Sequence, residues 1–222
     1  MKAKHTIASS SSPAKRTRAS LGAAIVASLA LLPGLALADD GKDLIPDPAE
    51  VTIDVVMSNG SGCSGGLSPE SIVLADDGSA LLVDMGIVAA QNGQGIAITE
   101  TYKNCNLSLR LNAPAGWTYR IASAEFDYGA RLPDADRTGK LSVETWVQGV
   151  GTDRERQELV LSGPIGKRDH ARLEFEESVF VPCDMSRALN FKNVAQVSNG
   201  TNYARVRYLS PVVYNLEWKR CE

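Results

Sequence analysis

Apolar side chains recur at every second position in one run after another, a spacing that suits strands and not helices. Val51, Ile53, Val55 and Met57 fall on one side of an extended segment, with Thr52 and Asp54 on the other. Cys105, Leu107, Leu109 and Leu111 alternate with Asn104, Asn106, Ser108 and Arg110. Near the end, Val212, Tyr214, Leu216 and Trp218 alternate with Val213, Asn215, Glu217 and Lys219. Leu141-Val143-Val147, Leu159-Leu161, Leu173-Phe175 and Leu189-Phe191 extend the series. Successive side chains of a strand point to opposite faces, so each run predicts one face on a core and one in water. Asp76-Asp77-Gly78, Ala113-Pro114-Ala115-Gly116, Leu132-Pro133-Asp134 and Ser162-Gly163-Pro164 supply turns between them. The expected fold is all-β, an antiparallel β-sandwich, with jelly-roll and immunoglobulin-like strand orders both open.

The first residues read differently. Lys2, Lys4, Lys15, Arg16 and Arg18 precede the uncharged stretch from Leu21 to Leu32, then Pro33-Gly34 and Ala36-Leu37-Ala38. A basic n-region, a short apolar core and small residues before the cut describe a cleavable signal peptide over residues 1–38. The apolar stretch falls short of the about 20 residues that cross a bilayer. No later segment is apolar enough to do so. Residues 39–50, with Pro46 and Pro48, read as a loosely ordered N-terminal arm, and 51–222 as a single sandwich domain. Cleavage removes five of 23 basic residues and none of 26 acidic ones, leaving 18 against 26, a net charge of −8. That balance opposes binding to nucleic acid or to anionic membranes.

Four cysteines follow the signal: Cys63, Cys105, Cys183 and Cys221. In an exported chain they predict disulfides, and four cysteines allow three pairings. Each sits at the end or on the core phase of an alternating run. Neighbouring strand ends therefore favour Cys63–Cys105 and Cys183–Cys221, closing loops of 42 and 38 residues. The second pair would pin the C-terminal strand. A zinc site is disfavoured, since there is no Cys-x-x-Cys and only His170 follows the signal.

Four blocks carry a family resemblance. They are Asn59-Gly60-Ser61-Gly62-Cys63; Tyr102-Lys103-Asn104-Cys105-Asn106-Leu107; Pro114 to Tyr119 with Ile121-Ala122-Ser123-Ala124; and Trp218-Lys219-Arg220-Cys221. In order and spacing they resemble the secreted proteins grouped as domain of unknown function 4360. The resemblance implies a secreted, β-rich protein with paired cysteines, from bacteria or fungi. It implies no activity, substrate or catalytic residue.

Two motifs look chemical and fail on context. Gly62-Cys63-Ser64-Gly65-Gly66 fits the Gly-x-Ser-x-Gly elbow, which needs a strand running into a helix and a histidine for the serine. Ser71-Ile72-Val73-Leu74 follows as a strand, and His170 lies in a distant polar run. Asp134-Ala135-Asp136-Arg137-Thr138-Gly139 opens like a calcium loop, yet Thr145 stands where the bidentate glutamate belongs. A solvated hairpin is expected there instead. No catalytic residue, metal site or cofactor is assigned.

Three residues are candidates for ligand contact. Trp146 falls on the polar phase beside Glu144, where it can stack on a sugar ring or anchor a protein, unless the arm or a loop covers that face. Arg205 and Arg207 share the polar phase opposite Val206 and Tyr208, as an anion-contacting face or as charges guarding a strand edge. The favoured function is a secreted, non-catalytic binding or structural module at or outside the cell envelope, with a glycan or protein ligand. Medium, wall and periplasm stay open as destinations. The alternative is a secreted hydrolase using paired carboxylates from Glu174, Glu176 and Glu177 or from Asp76 and Asp77.

Overall fold

The alternating runs become strands of two antiparallel sheets in a computed structural model that describes residues 45–151, 154–183 and 185–222. In chain order they are β1 (Thr52–Asn59), β2 (Ile72–Leu74), β3 (Ala80–Val83), β4 (Ala89–Asn92), β5 (Tyr102–Asn112) and β6 (Trp117–Leu132). β7 (Thr138–Val147), β8 (Glu155–Ser162), β9 (Ile165–Glu174), β10 (Leu189–Val197) and β11 (Ala204–Arg220) complete them. The first sheet runs β1-β5-β10-β7-β8. The second runs β2-β3-β11-β6-β9, with β4 also pairing β11.

This order decides between the two sandwich topologies. From β4 onward the chain alternates between sheets so that β5-β10-β7-β8 packs on β4-β11-β6-β9. That is the strand order of a jelly roll, with β1 added at the edge of the first sheet and the β2–β3 pair added beside β11 in the second. Inner side chains of both sheets form one buried cluster, including Leu107, Leu109, Leu141, Val143 and Phe191 against Phe126, Val206, Tyr208 and Tyr214. Two tyrosine hydroxyls inside it are matched across the sheets. Tyr208 donates its hydroxyl to the Ser142 carbonyl at 2.8 Å, and Tyr214 donates to Asn193 Oδ1 at 2.8 Å.

The expected signal segment lies outside the described residues. The described part of the arm is packed rather than loose. Pro46 is buried, Ile45 rests on the core, and Asp47 caps the short 3-10 turn Pro48–Glu50. Both expected disulfides form, with Cα–Cα separations of 5.2 Å for Cys63–Cys105 and 5.9 Å for Cys183–Cys221. The second does less for β11 than its sequence position suggests. β11 is an interior strand, bonded to β6 along its whole length and to β3 and β4 on the other side. What Cys221 holds is the β9–β10 connection through Cys183. That connection lies along β6, where Val181 donates to the Tyr119 carbonyl and Phe175 to the Ala122 carbonyl.

The buried tyrosines give the fold an alkaline limit. Burial pushes the Tyr119 phenol up to about 12, although its bond to the Leu111 carbonyl and the charge of Arg110 pull the other way. Burial raises Tyr208 and Tyr214 as well. An unfolded tyrosine ionises near pH 10, so above that pH the unfolded chain holds fewer protons than the folded one. Stability is therefore full below about pH 10 and falls toward about pH 12, by up to about 1.4 kcal/mol per pH unit for each such tyrosine. Urea unfolding of the wild type and Tyr119→Phe at about pH 8 and about pH 11 should show a smaller alkaline loss in the variant. Equal losses would contradict the assignment to Tyr119.

Candidate functional site

Arg205 and Arg207 occupy the outer face of the second sheet, midway across it. At these residues β11 pairs with β6 on one side and β4 on the other, as Arg205↔Arg131, Arg207↔Gly129, Arg205↔Gln91 and Arg207↔Ala89. They are therefore not edge guards. On the far side of β6, Gly129 pairs with Arg168 and Ala130 with Lys167 of β9. Three adjacent strands thus bring Arg131, Lys167, Arg168, Arg205 and Arg207 together with Gly129, Ala130 and Tyr203 around an open depression of about 240 Å³.

The floor exists because of one missing side chain. A Cβ on Gly129 would stand 3.2 Å from Arg207 Nε and 3.5 Å from its Cγ. Arg207 can therefore lie flat across β6. The Arg131 guanidinium sits 5.7 Å from the ring centroid of Tyr203, whose hydroxyl donates to Gln91 Oε1 at 3.3 Å. Of the five cations only Lys167 is neutralised. Its ammonium meets Asp169 at 2.5 Å, and that hydrogen bond raises its pKa, assisted by Tyr128. Among the described residues, none of the four arginines has a carboxylate within 4.0 Å. Arg205 also keeps Nε shut off from solvent with no acceptor.

A fifth arginine, Arg137, sets the loop that leads into this surface. Arg137 is 1% exposed and donates to the carbonyls of Ser198 and Asn202 at 2.6 Å each and to Asn92 Oδ1 at 3.1 Å. Gly200 passes so close that a Cβ would lie 2.3 Å from Arg137 Nη1. This clamp holds residues 198–202 just before Tyr203. The calcium-like spacing around it has another use. Asp134 accepts from Asn202 Nδ2 at 3.0 Å, and the segment is a corner between sheets rather than the expected hairpin. Among the described residues no three His, Cys, Asp or Glu side chains are grouped to hold a metal ion.

Trp146 lies on the outer face of the other sheet, half-buried. The Arg154 guanidinium covers its ring at 4.3 Å from the centroid and is tied to Glu144 at 3.2 Å. A loop side chain thus occupies one face of that ring. Glu174, Glu176 and Glu177 line an open groove of about 760 Å³ between β8 and β9, shared with Glu155, Arg154, Arg156 and Arg172. Arg172 pairs with both Glu174 and Glu125. Asp76 and Asp77 belong instead to the β2–β3 turn, where Asp77 Oδ1 accepts from the Ser79 backbone at 2.9 Å, so the two acid sets do not combine. Ser64 is exposed in the glycine-rich turn after β1, with no helix behind it. His170 sits on β9, 3.0 Å from Asp127 and 3.6 Å from Glu125.

Sequence reasoning found Arg205 and Arg207 from their alternation but missed Arg131, Lys167, Arg168 and Tyr203. Only the register of β6 against β9 and β11 puts these beside them. The phase of Arg131 was legible in principle. It was masked because β6 changes phase at Ala122, where the register against β11 slips between Asn215 and Leu216.

Comparison with known proteins agrees with this architecture. An uncharacterized secreted protein of Arthroderma benhamiae is 27% identical over 192 residues, covering 82% of this chain and 77% of the relative. With two disulfides and such a relative, this is a secreted protein. No helix among the described residues is long and apolar enough to cross a membrane. The family model for the domain of unknown function DUF4360 matches residues 49–221, from the arm through the last cysteine, and the chain belongs to that family.

Proposed function

We propose that the protein is a non-catalytic binding module, exported with loss of residues 1–38, that engages an anionic ligand at or outside the cell envelope. The observation that carries this reading is the set of four arginines without carboxylate partners, three of which, Arg131, Arg205 and Arg207, stand on interior strands. Charged edges discourage strand pairing, but an interior strand has no such need. Like charges held together cost stability unless something neutralises them. A ligand is what supplies the neutralising charge. A jelly roll hosts many unrelated functions, so the fold by itself adds nothing to the argument.

The test is retention of the mature protein on cell-envelope and extracellular material. Arg205→Glu combined with Arg207→Glu should abolish retention while circular dichroism stays unchanged. Undiminished retention by the folded double variant would contradict the reading. Mass spectrometry of the exported chain should find Asp39 at its N-terminus, and a retained Leu21–Leu32 segment would overturn the signal assignment. The hydrolase alternative rests on the groove between β8 and β9, because four glutamates line it. Hydrolysis of any envelope polymer, lost in Glu177→Gln, would favour that alternative.

A further inference from the structure

We propose that the ligand is an acidic polysaccharide, with its carboxylate or sulfate groups seated among the guanidiniums and a sugar ring against Tyr203. This rests on the binding reading above and adds the chemical class.

Geometry comes first. Neighbouring strands lie about 4.8 Å apart, and same-face residues along a strand are about 6.8 Å apart. Arg168 and Arg207 flank Gly129, while Arg131 and Arg205 sit side by side one step along the same strands. The four arginines therefore root in an area roughly 10 Å by 7 Å. A patch of this size suits discrete oxyanions on one or two sugar units. Guanidinium forks take planar or tetrahedral oxyanions by paired hydrogen bonds, which a lysine ammonium cannot do.

Tyr203 adds the second element. The residue is 38% exposed at the rim, with its ring next to the Arg131 guanidinium and the Gln91 amide. An exposed aromatic face beside hydrogen-bonding groups suits the apolar face of a sugar ring better than a bare inorganic ion. The depression is open, so the occupant lies across it and need not be enclosed.

Charge limits the alternatives. The next rows of the same face carry Asp127, beside Leu209, and Glu125, beside Val213. Duplex DNA bears a charge about every 1.7 Å and would run from the arginines onto these carboxylates. A polysaccharide with one acidic group per one or two sugars places fewer charges there. Arg205 Nε is shut off from solvent with no acceptor, a state it shares with Arg110 Nε and Arg137 Nε, so what sets this surface apart is the charge and placement of the four arginines and not this atom.

Equilibrium titration of the mature protein tests the proposal with five probes: a sulfated heparin fragment, a polygalacturonate fragment, neutral dextran, poly-glutamate and duplex DNA. At least one of the two acidic polysaccharides should bind, more weakly as salt rises. Which one binds distinguishes sulfate from carboxylate as the recognised group. Arg205→Ala with Arg207→Ala should weaken binding about tenfold or more, roughly the loss of one charge-assisted hydrogen bond. Gly129→Ala leaves every charge in place but crowds Arg207 Nε, which must give by a few tenths of an ångström. It should weaken binding about threefold or more if the flat arginine forms the site. Tyr203→Ala should do likewise. Arg172→Ala, on the acidic half of the face, should leave affinity unchanged. Equal binding of poly-glutamate or DNA, or wild-type affinity in both Gly129→Ala and Tyr203→Ala, would overturn the proposal. If neither polysaccharide binds but envelope retention still needs Arg205 and Arg207, the binding reading stands and this ligand class is wrong.

Discussion

Arg137→Ala should destabilise the protein by about 3–5 kcal/mol, a large part of the about 5–15 kcal/mol typical of a domain. The side chain is 1% exposed, and a buried guanidinium is costly unless most of its donors are occupied. Three bonds serve its two terminal nitrogens, to the Ser198 and Asn202 carbonyls and to Asn92 Oδ1, which also accepts from the Gly200 backbone at 2.8 Å, while Nε has no acceptor. Alanine removes the donors, leaves a void and strands two carbonyls, each costing about 1–3 kcal/mol when buried without a partner. Lysine offers one charge but no planar fork, so Arg137→Lys should recover only part of the loss. Urea unfolding gives the number, and hydrogen exchange should show residues 198–202 loosening first. A loss below about 1 kcal/mol would mean that the loop finds another anchor.

The two disulfides should differ in value and in reactivity. Cys63 and Cys105 are 6% and 0% exposed and join the turn after β1 to β5 across 42 residues. The chain-entropy relation gives about 4 kcal/mol for a loop of that size. Their removal also opens a void beside Gly60, whose φ of 136° and close approach to the Asn104 carbonyl exclude other residues. Replacing both by alanine should therefore cost about 4 kcal/mol or more. Cys183, by contrast, is exposed, and its partner Cys221 closes a strand already bonded on both sides. The 38-residue loop carries nearly the same entropic value, about 4 kcal/mol, so replacing that pair should cost about that much without the added void, and should mobilise residues 176–188 while β11 stays protected. Mild reductant should open Cys183–Cys221 first. Prior loss of Cys63–Cys105, read by peptide mapping, would contradict this ranking.

The strands that the sequence displays are those whose alternation survives intact. β5 and β10 keep one phase throughout, and β11 keeps its phase past Pro211; β1 does not, because a bulge between Val55 and Met57 turns Met57, expected on the core side, out to solvent. At Pro211 the register of β11 against β6 jumps from Leu209↔Asp127 to Val212↔Phe126. β6 was harder to see. Its inward residues change from Tyr119 and Ile121 to Ala124, Phe126 and Tyr128, so no single period runs through it. The Cys63–Cys105 pairing was legible because it joins the neighbours β1 and β5; Cys183–Cys221 forms for another reason, since Cys183 lies in the β9–β10 connection and neither of those strands pairs with β11. Strand order was not legible, since β5 meets β10 and β6 meets β11 only after long stretches of chain. Arg137 gave no signal either. It stands in a run of polar residues, and only the closeness of Gly200 explains how a cation comes to be enclosed there. For Trp146, the outward phase was correct, and the covering by Arg154 belongs to a loop that periodicity does not describe.

The arginine surface is tested most directly by nuclear magnetic resonance on isotope-labelled mature protein titrated with an acidic oligosaccharide, either sulfated or uronate-based. Backbone signals of Gly129–Arg131, Gly166–Arg168 and Tyr203–Arg207 should move together and saturate, with the Trp146 indole signal unmoved. Shifts centred on Trp146 and the groove between β8 and β9, or no saturable shift with either oligosaccharide, would contradict the account.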